Sequence, residues 1–257
     1  MELLAHTRMV LWEGGSLWVV DASPVTTPAP RRTDPHAHHA IQITLSLGGR
    51  FRLDDGGPEV SGDAVAVAPD ATHVFEAEGL VAMLFVEPES RTGRAIAKAL
   101  FDGRSLAPMP PAMLGDFGSR IAESFRGVRR DDSALAGLGR GLAAQLAGSV
   151  VAAEPDARVR RMIAWAARQL DGPVSLADVG AVGGLSPSRL RHLFVEQTGL
   201  AFRTYLLWLR LTRALESLAA GASLTQSAHE AGFADSAHFS RTFRRMFGVA
   251  PASLRMT

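Results

Sequence analysis

SPSRLRHLFVEQTG at 186–199 and DSAHFSRTFRRMFG at 235–248 align at an offset of 49 residues. Each stretch opens on a capping residue, Ser186 or Asp235, and closes on a glycine, Gly199 or Gly248. Between them stand an apolar residue, Leu190 or Phe239, and an aromatic four further on, Phe194 or Phe243. Ser and Asp accept hydrogen bonds from the unpaired N–H groups of a first helical turn, and glycine takes the left-handed backbone that ends a helix. Pro187 suits the first helical position of the earlier copy. Each stretch therefore predicts one short helix. Before each lies another short apolar-patterned segment and a glycine turn, Gly183-Gly184 or Gly232. A short helix, a tight turn and a second helix make the helix-turn-helix order, in which the second helix enters the DNA major groove. Two such units suit two successive grooves, about 34 Å apart, so that a single copy can read a site.

The rest of the C-terminal part is helical in pattern. Val159, Met162, Ile163, Ala166 and Leu170 share one face of a helix stopped by Gly172-Pro173, and Tyr205 to Leu218 forms a longer one. Upstream, AAEPDA at 152–157 reads as a linker. RTGRAIAKALFDG, MLGDFGSRIAESF and SALAGLGRGLAAQLAGSVVA, between about 91 and 153, are helical too. In the last, Leu135, Leu138, Leu142 and Leu146 form a stripe for packing on a neighbouring layer or on a second subunit. The first ninety residues differ. LWVVDAS, AIQITLSL, FRLDD, DAVAVAP and LVAMLFVEP are short apolar or alternating runs separated by Gly, Pro and Asp, as in a sandwich or barrel.

Composition bounds the function. Among 257 residues there is no cysteine, which excludes disulfides, thiolate catalysis and cysteine-held zinc. No apolar run approaches ~18 residues, so no membrane span is expected, and the N-terminus lacks the pattern of a secretory leader; a cytoplasmic protein is the expectation. From Asp156 onward there are 13 Arg and no Lys against 7 acidic residues, a balance of +6; residues 1–155 carry 14 basic and 19 acidic residues, a balance of −5. The basic half suits a polyanionic partner.

Residues from about 157 to 255 resemble the DNA-binding domain of the AraC/XylS family of regulators. The carrying segments are LADVGAVGGLSPSRLRHLFVEQTG and HEAGFADSAHFSRTFRRMFGVAPASLR. The second holds the family's Gly-Phe pair (Gly232-Phe233), acidic-Ser cap (Asp235-Ser236), Phe-x-Arg-x-Phe (Phe239, Arg241, Phe243), Phe247-Gly248 and late Pro251. It departs at Leu254-Arg255, where Tyr-Arg is usual, and at His229. With Leu190, Leu193 and Phe194 inward, helix phase points Ser188, Arg191 and His192 outward, and Ser236, Ala237, Ser240 and Arg241 in the second copy. These are the expected base-facing residues, with Arg191 suited to guanine O6 and N7. Arg189, Arg244 and Arg245 are expected on phosphates, which position but do not specify.

In relatives with this layout, the N-terminal module is a cupin-like barrel that senses a small molecule. Two stretches resemble cupin motifs: His36-Ala37-His38-His39 running into AIQITLSLGG, and Gly62-Asp63 through Pro69 to His73. Taken as one strand, 36–46 puts His36, His38, Gln42, Thr44 and Ser46 on one face. His36, His38, Gln42 and His73 are the expected lining of an effector site. Imidazoles also suit a transition metal, but Gln42 replaces the usual cupin glutamate. An organic effector is therefore preferred, with no cofactor and no metal expected; His39 is left to solvent.

The expected architecture is α+β and multidomain: a cupin-like β-barrel (1–90), a helical region with a possible dimerisation role (91–153), and an all-α double helix-turn-helix domain (157–257). The function implied is a sequence-specific transcription regulator responsive to a small-molecule effector. Promoter DNA, RNA polymerase and a second copy are its partners, and activation is the family's commoner mode. A cupin-type metal-dependent enzyme or metal sensor with an accessory DNA module is the alternative; it needs a full ligand set and an open coordination position. An architectural DNA binder fits poorly with arginines at base-reading positions. No enzymatic activity is expected.

Overall fold

The computed structural model describes residues 5–23 and 31–256 and divides into two compact units. The first holds the chain up to Ala152 together with Phe243–Thr257; the second is Ala153–Thr242. The last fifteen residues thus count with the β-rich part, whereas the sequence reading ran a single C-terminal module from 157 to the end.

The first unit contains strands β1 (Ala5–Trp12), β2 (Gly15–Asp21), β3 (Arg31–Arg32), β4 (Ile41–Ser46), β5 (Arg50–Asp54), β6 (Val60–Ser61), β7 (Ala64–Val67), β8 (Val74–Glu78), β9 (Leu80–Val86), β10 (Leu106–Met109) and β11 (Leu254–Met256). Seven form one sheet in the order β10-β7-β4-β9-β2-β1-β11, and four form another in the order β3-β8-β5-β6. Neighbours run antiparallel except β1 and β11, which are parallel. Strands β1, β3, β6, β8, β10 and β11 fall outside the apolar runs that the sequence marks as strands.

Period-two alternation sorts the large sheet into two faces. Leu17, Val19, Ile41, Ile43 and Leu45 point to a core shared with α1 (Arg91–Leu100), α2 (Phe117–Arg126) and α3 (Asp132–Ala147). Their intervening neighbours Trp18, Gln42 and Thr44 are buried as well, on the opposite face. Ile96, Ile121, Leu135 and Leu142 reach the core from the helices, fully buried, each worth about 1.5–3 kcal/mol of apolar burial. Caps set the helix starts: Ser90 Oγ accepts from Gly93 N at 2.9 Å, and Asp131 from Ala134 N at 2.8 Å. Leu135, Leu142 and Leu146 of the expected stripe are all buried in this core, with Leu138 at its margin. The stripe is thus occupied within the subunit, and the dimerisation role proposed for 91–153 has no support from it.

The second unit contains α4 (Ala157–Ala167), α5 (Leu176–Gly183), α6 (Pro187–Thr198), α7 (Phe202–Ala219) and α8 (Leu224–Glu230), and α9 (Ser236–Phe247) begins in it. Val159, Met162, Leu190, Phe194, Phe202 and Tyr205 make its core. Phe194 meets Phe202 and Tyr205 edge-on, both at 5.2 Å between ring centres. Gly232, at φ +74°, sits where a Cβ would lie 1.8 Å from the Leu170 carbonyl oxygen, so only glycine fits this turn.

Candidate functional site

Helices α5 and α6, and then α8 and α9, are the two helix-turn-helix pairs. The second helices are both twelve residues long and start 49 residues apart, at Pro187 and Ser236. Ser186 caps α6, Asp235 Oδ1 accepts from His238 N at 2.6 Å, and Gly199 and Gly248 follow at φ +78° and +69°. Leu190, Phe194, Phe239 and Phe243 are fully buried. That burial fixes the opposite side: Ser188, Arg189, Arg191 and His192 on α6 are exposed, as are Ala237, Arg241, Arg244 and Arg245 on α9, while Ser236 and Ser240 are half-buried. Among these residues, Arg244 holds Asp34 in an ion pair at 2.8 Å, so a phosphate contact by Arg244 would have to displace that carboxylate.

The histidine cluster forms differently from the sequence expectation. Residues 36–40 are not part of β4, which begins at Ile41. His36 instead makes an isolated bridge with His73, His36 N donating to His73 O at 3.0 Å and His73 N to His36 O at 2.9 Å. His38 Nε2 lies 2.9 Å from Gln42 Oε1, and Gln42 Nε2 donates to Thr44 Oγ1 at 2.9 Å. All four expected residues therefore converge, each no more than 6 % exposed. One ring nitrogen from each of His36, His38 and His73 lies within 4.8 Å of the others. Phe247 and Phe85 close over His38, their ring centres 5.8 and 5.3 Å away.

Every Nδ1 in the cluster faces a main-chain oxygen: His36 that of Asp34, His38 that of Ala40 and His73 that of Ala71, each at 2.9 Å. A carbonyl oxygen only accepts, so Nδ1 of His36 and of His73 carries the proton, whereas His38 faces an acceptor at both nitrogens, the Ala40 carbonyl and Gln42 Oε1. Burial, with the neighbouring His73 charge, lowers the pKa of His36 to about 4; burial, with the His73 and His36 charges, lowers that of His38 to about 3. His73 is lowered by burial. The three rings are neutral at pH 7.

His39 is buried, against the expectation that it faces solvent. It is 3 % exposed, with Nε2 2.9 Å from Glu89 and Nδ1 3.6 Å from Asp70. Burial alone would lower its pKa, but the hydrogen bonds its ring donates to Asp70 and Glu89, with the charges of those carboxylates, outweigh it and raise the pKa to about 9. No sequence signal marked Glu89, fifty residues away.

Residues 179–257 match the model of a helix-turn-helix domain. The chain is 39% identical over 101 residues to the HTH-type transcriptional activator RhaS of Escherichia fergusonii, covering 39% of this chain and 36% of the relative. RhaS of Enterobacter is 38% identical over 101 residues, with the same coverage. The match thus spans just over a third of the length of these curated relatives. The C-terminal region matches a helix-turn-helix domain, and the similarity to these activators is confined to it. A crystal structure of ToxT from Vibrio cholerae superposes with a TM-score of 0.58 at 13% identity, covering 98% of this chain and 96% of that one. Another, of ToxT bound to an unsaturated fatty acid, gives a TM-score of 0.52 at 12% identity, covering 98% and 95%. Both support the same fold, a β-rich N-terminal part followed by helix-turn-helix pairs.

Proposed function

We propose that this protein is a sequence-specific DNA-binding transcription regulator whose β-rich unit senses a small molecule, and that it is not an enzyme. The carrying observation is the duplicated twelve-residue helix with Arg191 and Arg241 exposed on it, within the segment that matches the helix-turn-helix model. Ser188, Arg191 and His192, with Ser236, Ala237, Ser240 and Arg241, face bases; Arg189, Arg244 and Arg245 face phosphates. Promoter DNA, RNA polymerase and a second copy are the partners, in the cytoplasm. The sensing site is the pocket of His36, His38, Gln42 and His73. Its occupant alters how the DNA-binding module is presented, and with it promoter occupancy. The fatty acid held by ToxT, a protein of this fold, supports a sensing role for the β-rich part.

Selection from a random DNA pool with the full chain tests this reading. The expected product is a defined site with two elements one helical turn apart, about 10–10.5 base pairs. Arg191→Ala then relaxes preference at one position by about 1–3 kcal/mol, whereas Arg245→Ala weakens all sequences evenly and lowers the salt slope by about one. An unselective pool, or equal sequence-independent losses in both variants, would sink it.

A further inference from the structure

We infer that Val195 on α6 recognises a thymine by packing on its 5-methyl group, and so completes the base-reading row of the first helix-turn-helix unit. The inference rests on reading the protein as a sequence-specific DNA binder and adds a specificity residue to its first recognition helix.

Helix phase comes first. Ser188, Arg191 and His192 stand at i, i+3 and i+4 on the exposed side of α6, and Val195 is i+7. In the three-helix variant of this motif, the recognition helix reads bases from positions with that same i, i+3, i+4, i+7 spacing. At 3.6 residues per turn, Val195 falls between Arg191 and Ser188 around the axis, about 40° from the one and about 20° from the other. The buried residues Leu190, Phe194 and Thr198 centre about 100° away from it.

The kind of side chain is the second observation. Val195 is 44 % exposed, and the other exposed large apolar side chains among the described residues, Val128 and Val151, lie outside helices and strands. Valine is stiff in a helix and a weaker helix former than alanine. Neither helix formation nor the core therefore explains it. The turn Val195–Thr198 carries no cation, so it offers no grip on a phosphate. At the matching place in α9, 49 residues on, stands Arg244, whose long stem can bend back to the backbone. Valine has neither the reach nor the charge. What the major groove offers to an apolar residue is the thymine methyl group. Four residues of helix rise about 6 Å, which places this thymine about one or two base pairs from the pair read by Arg191.

The experiment uses the full chain on the DNA site it selects. Deoxyuridine replaces thymidine, one position at a time, within two base pairs of the Arg191 position. This removes only the methyl group and keeps the pairing. Wild type and Val195→Ala are compared by anisotropy at one salt concentration. At one position, wild type should lose about fourfold in affinity, the value of one buried methyl-sized group. Val195→Ala should bind the thymine site about fourfold more weakly and lose nothing further with deoxyuridine, the non-additivity expected of two groups in contact. Its preference at the Arg191 position should persist, which shows that the variant is folded. A defined site without methyl sensitivity at any tested position overturns the inference and leaves the regulator standing. Equal deoxyuridine losses in both proteins also overturn it, because another residue then reads the methyl group. So does Val195→Ala that binds DNA as wild type does but fails to activate transcription, which gives Val195 to a protein partner. An unselective DNA pool overturns both readings.

Discussion

His39 is a buried cation between two carboxylates, and its charge state makes the β-rich unit sensitive to alkali. Its folded pKa of about 9 lies above the ordinary 6.5. The stabilisation is therefore complete below about pH 6.5 and is lost as pH rises through about 9. Thermal unfolding in chelator-containing buffer from pH 6 to 10 should show a falling midpoint, and Glu89→Gln should flatten the fall; a flat wild-type profile would refute the assignment. Gly232 is a second residue whose role can be measured. Gly232→Ala forces a side chain into left-handed backbone at +74° and against the Leu170 carbonyl. The strained backbone alone should lower stability by about 1–3 kcal/mol in urea unfolding, with the clash adding to it. Gly248 is as tightly placed, since its Cβ would lie 2.4 Å from the Asp34 carbonyl oxygen and 2.7 Å from His36 Nδ1.

Among the elements, the duplicated helices were legible in the sequence because their order depends on local chemistry. Caps, terminal glycines and a 3.6-residue apolar period all lie within one helix, and α6 and α9 begin and end where these signals fall. The β-rich part was legible only in its most apolar runs. Strand β1 carries Thr7 and Arg8, and β10 carries Pro108; their strand character comes from pairing with β2 and β7 rather than from their own composition. The convergence of His36 and His38 was foreseen from alternation along one strand, yet the structure achieves it through a bridge to His73 and a turn before β4. That bridge is a non-local pairing, and no spacing rule encodes it. Helix α3 shows the converse limit: a clear stripe does not say which surface it meets. Leu142→Ala should destabilise the first unit by about 2–5 kcal/mol and leave the oligomeric state unchanged by light scattering; a dissociated assembly would return the stripe to an interface.

For the whole molecule, the uneven charge distribution gives the expectation. The basic half should make DNA binding fall steeply with salt, each neutralised phosphate adding about −0.9 to the slope of log K against log salt. Asp34, in the acidic half of the chain, competes for Arg244 in an exposed ion pair, which is worth only about 0–1 kcal/mol. Asp34→Asn should therefore tighten DNA binding a fewfold at low salt and steepen the slope by about 0.9. Anisotropy measured across a salt series checks this, and an unchanged slope would remove Arg244 from the phosphate set.

The three imidazoles are aimed by the carbonyls of Asp34, Ala40 and Ala71, which belong to the main chain whatever side chains stand there. Substitution at those three positions leaves the acceptors in place so long as the backbone keeps its path. In evolutionary terms the aim of the rings is shielded from drift at their nearest neighbours. A lineage can abandon the cluster by changing a histidine, or by reshaping the loop and bridge that carry it, but it cannot detune it gradually through the side chains that hold the rings.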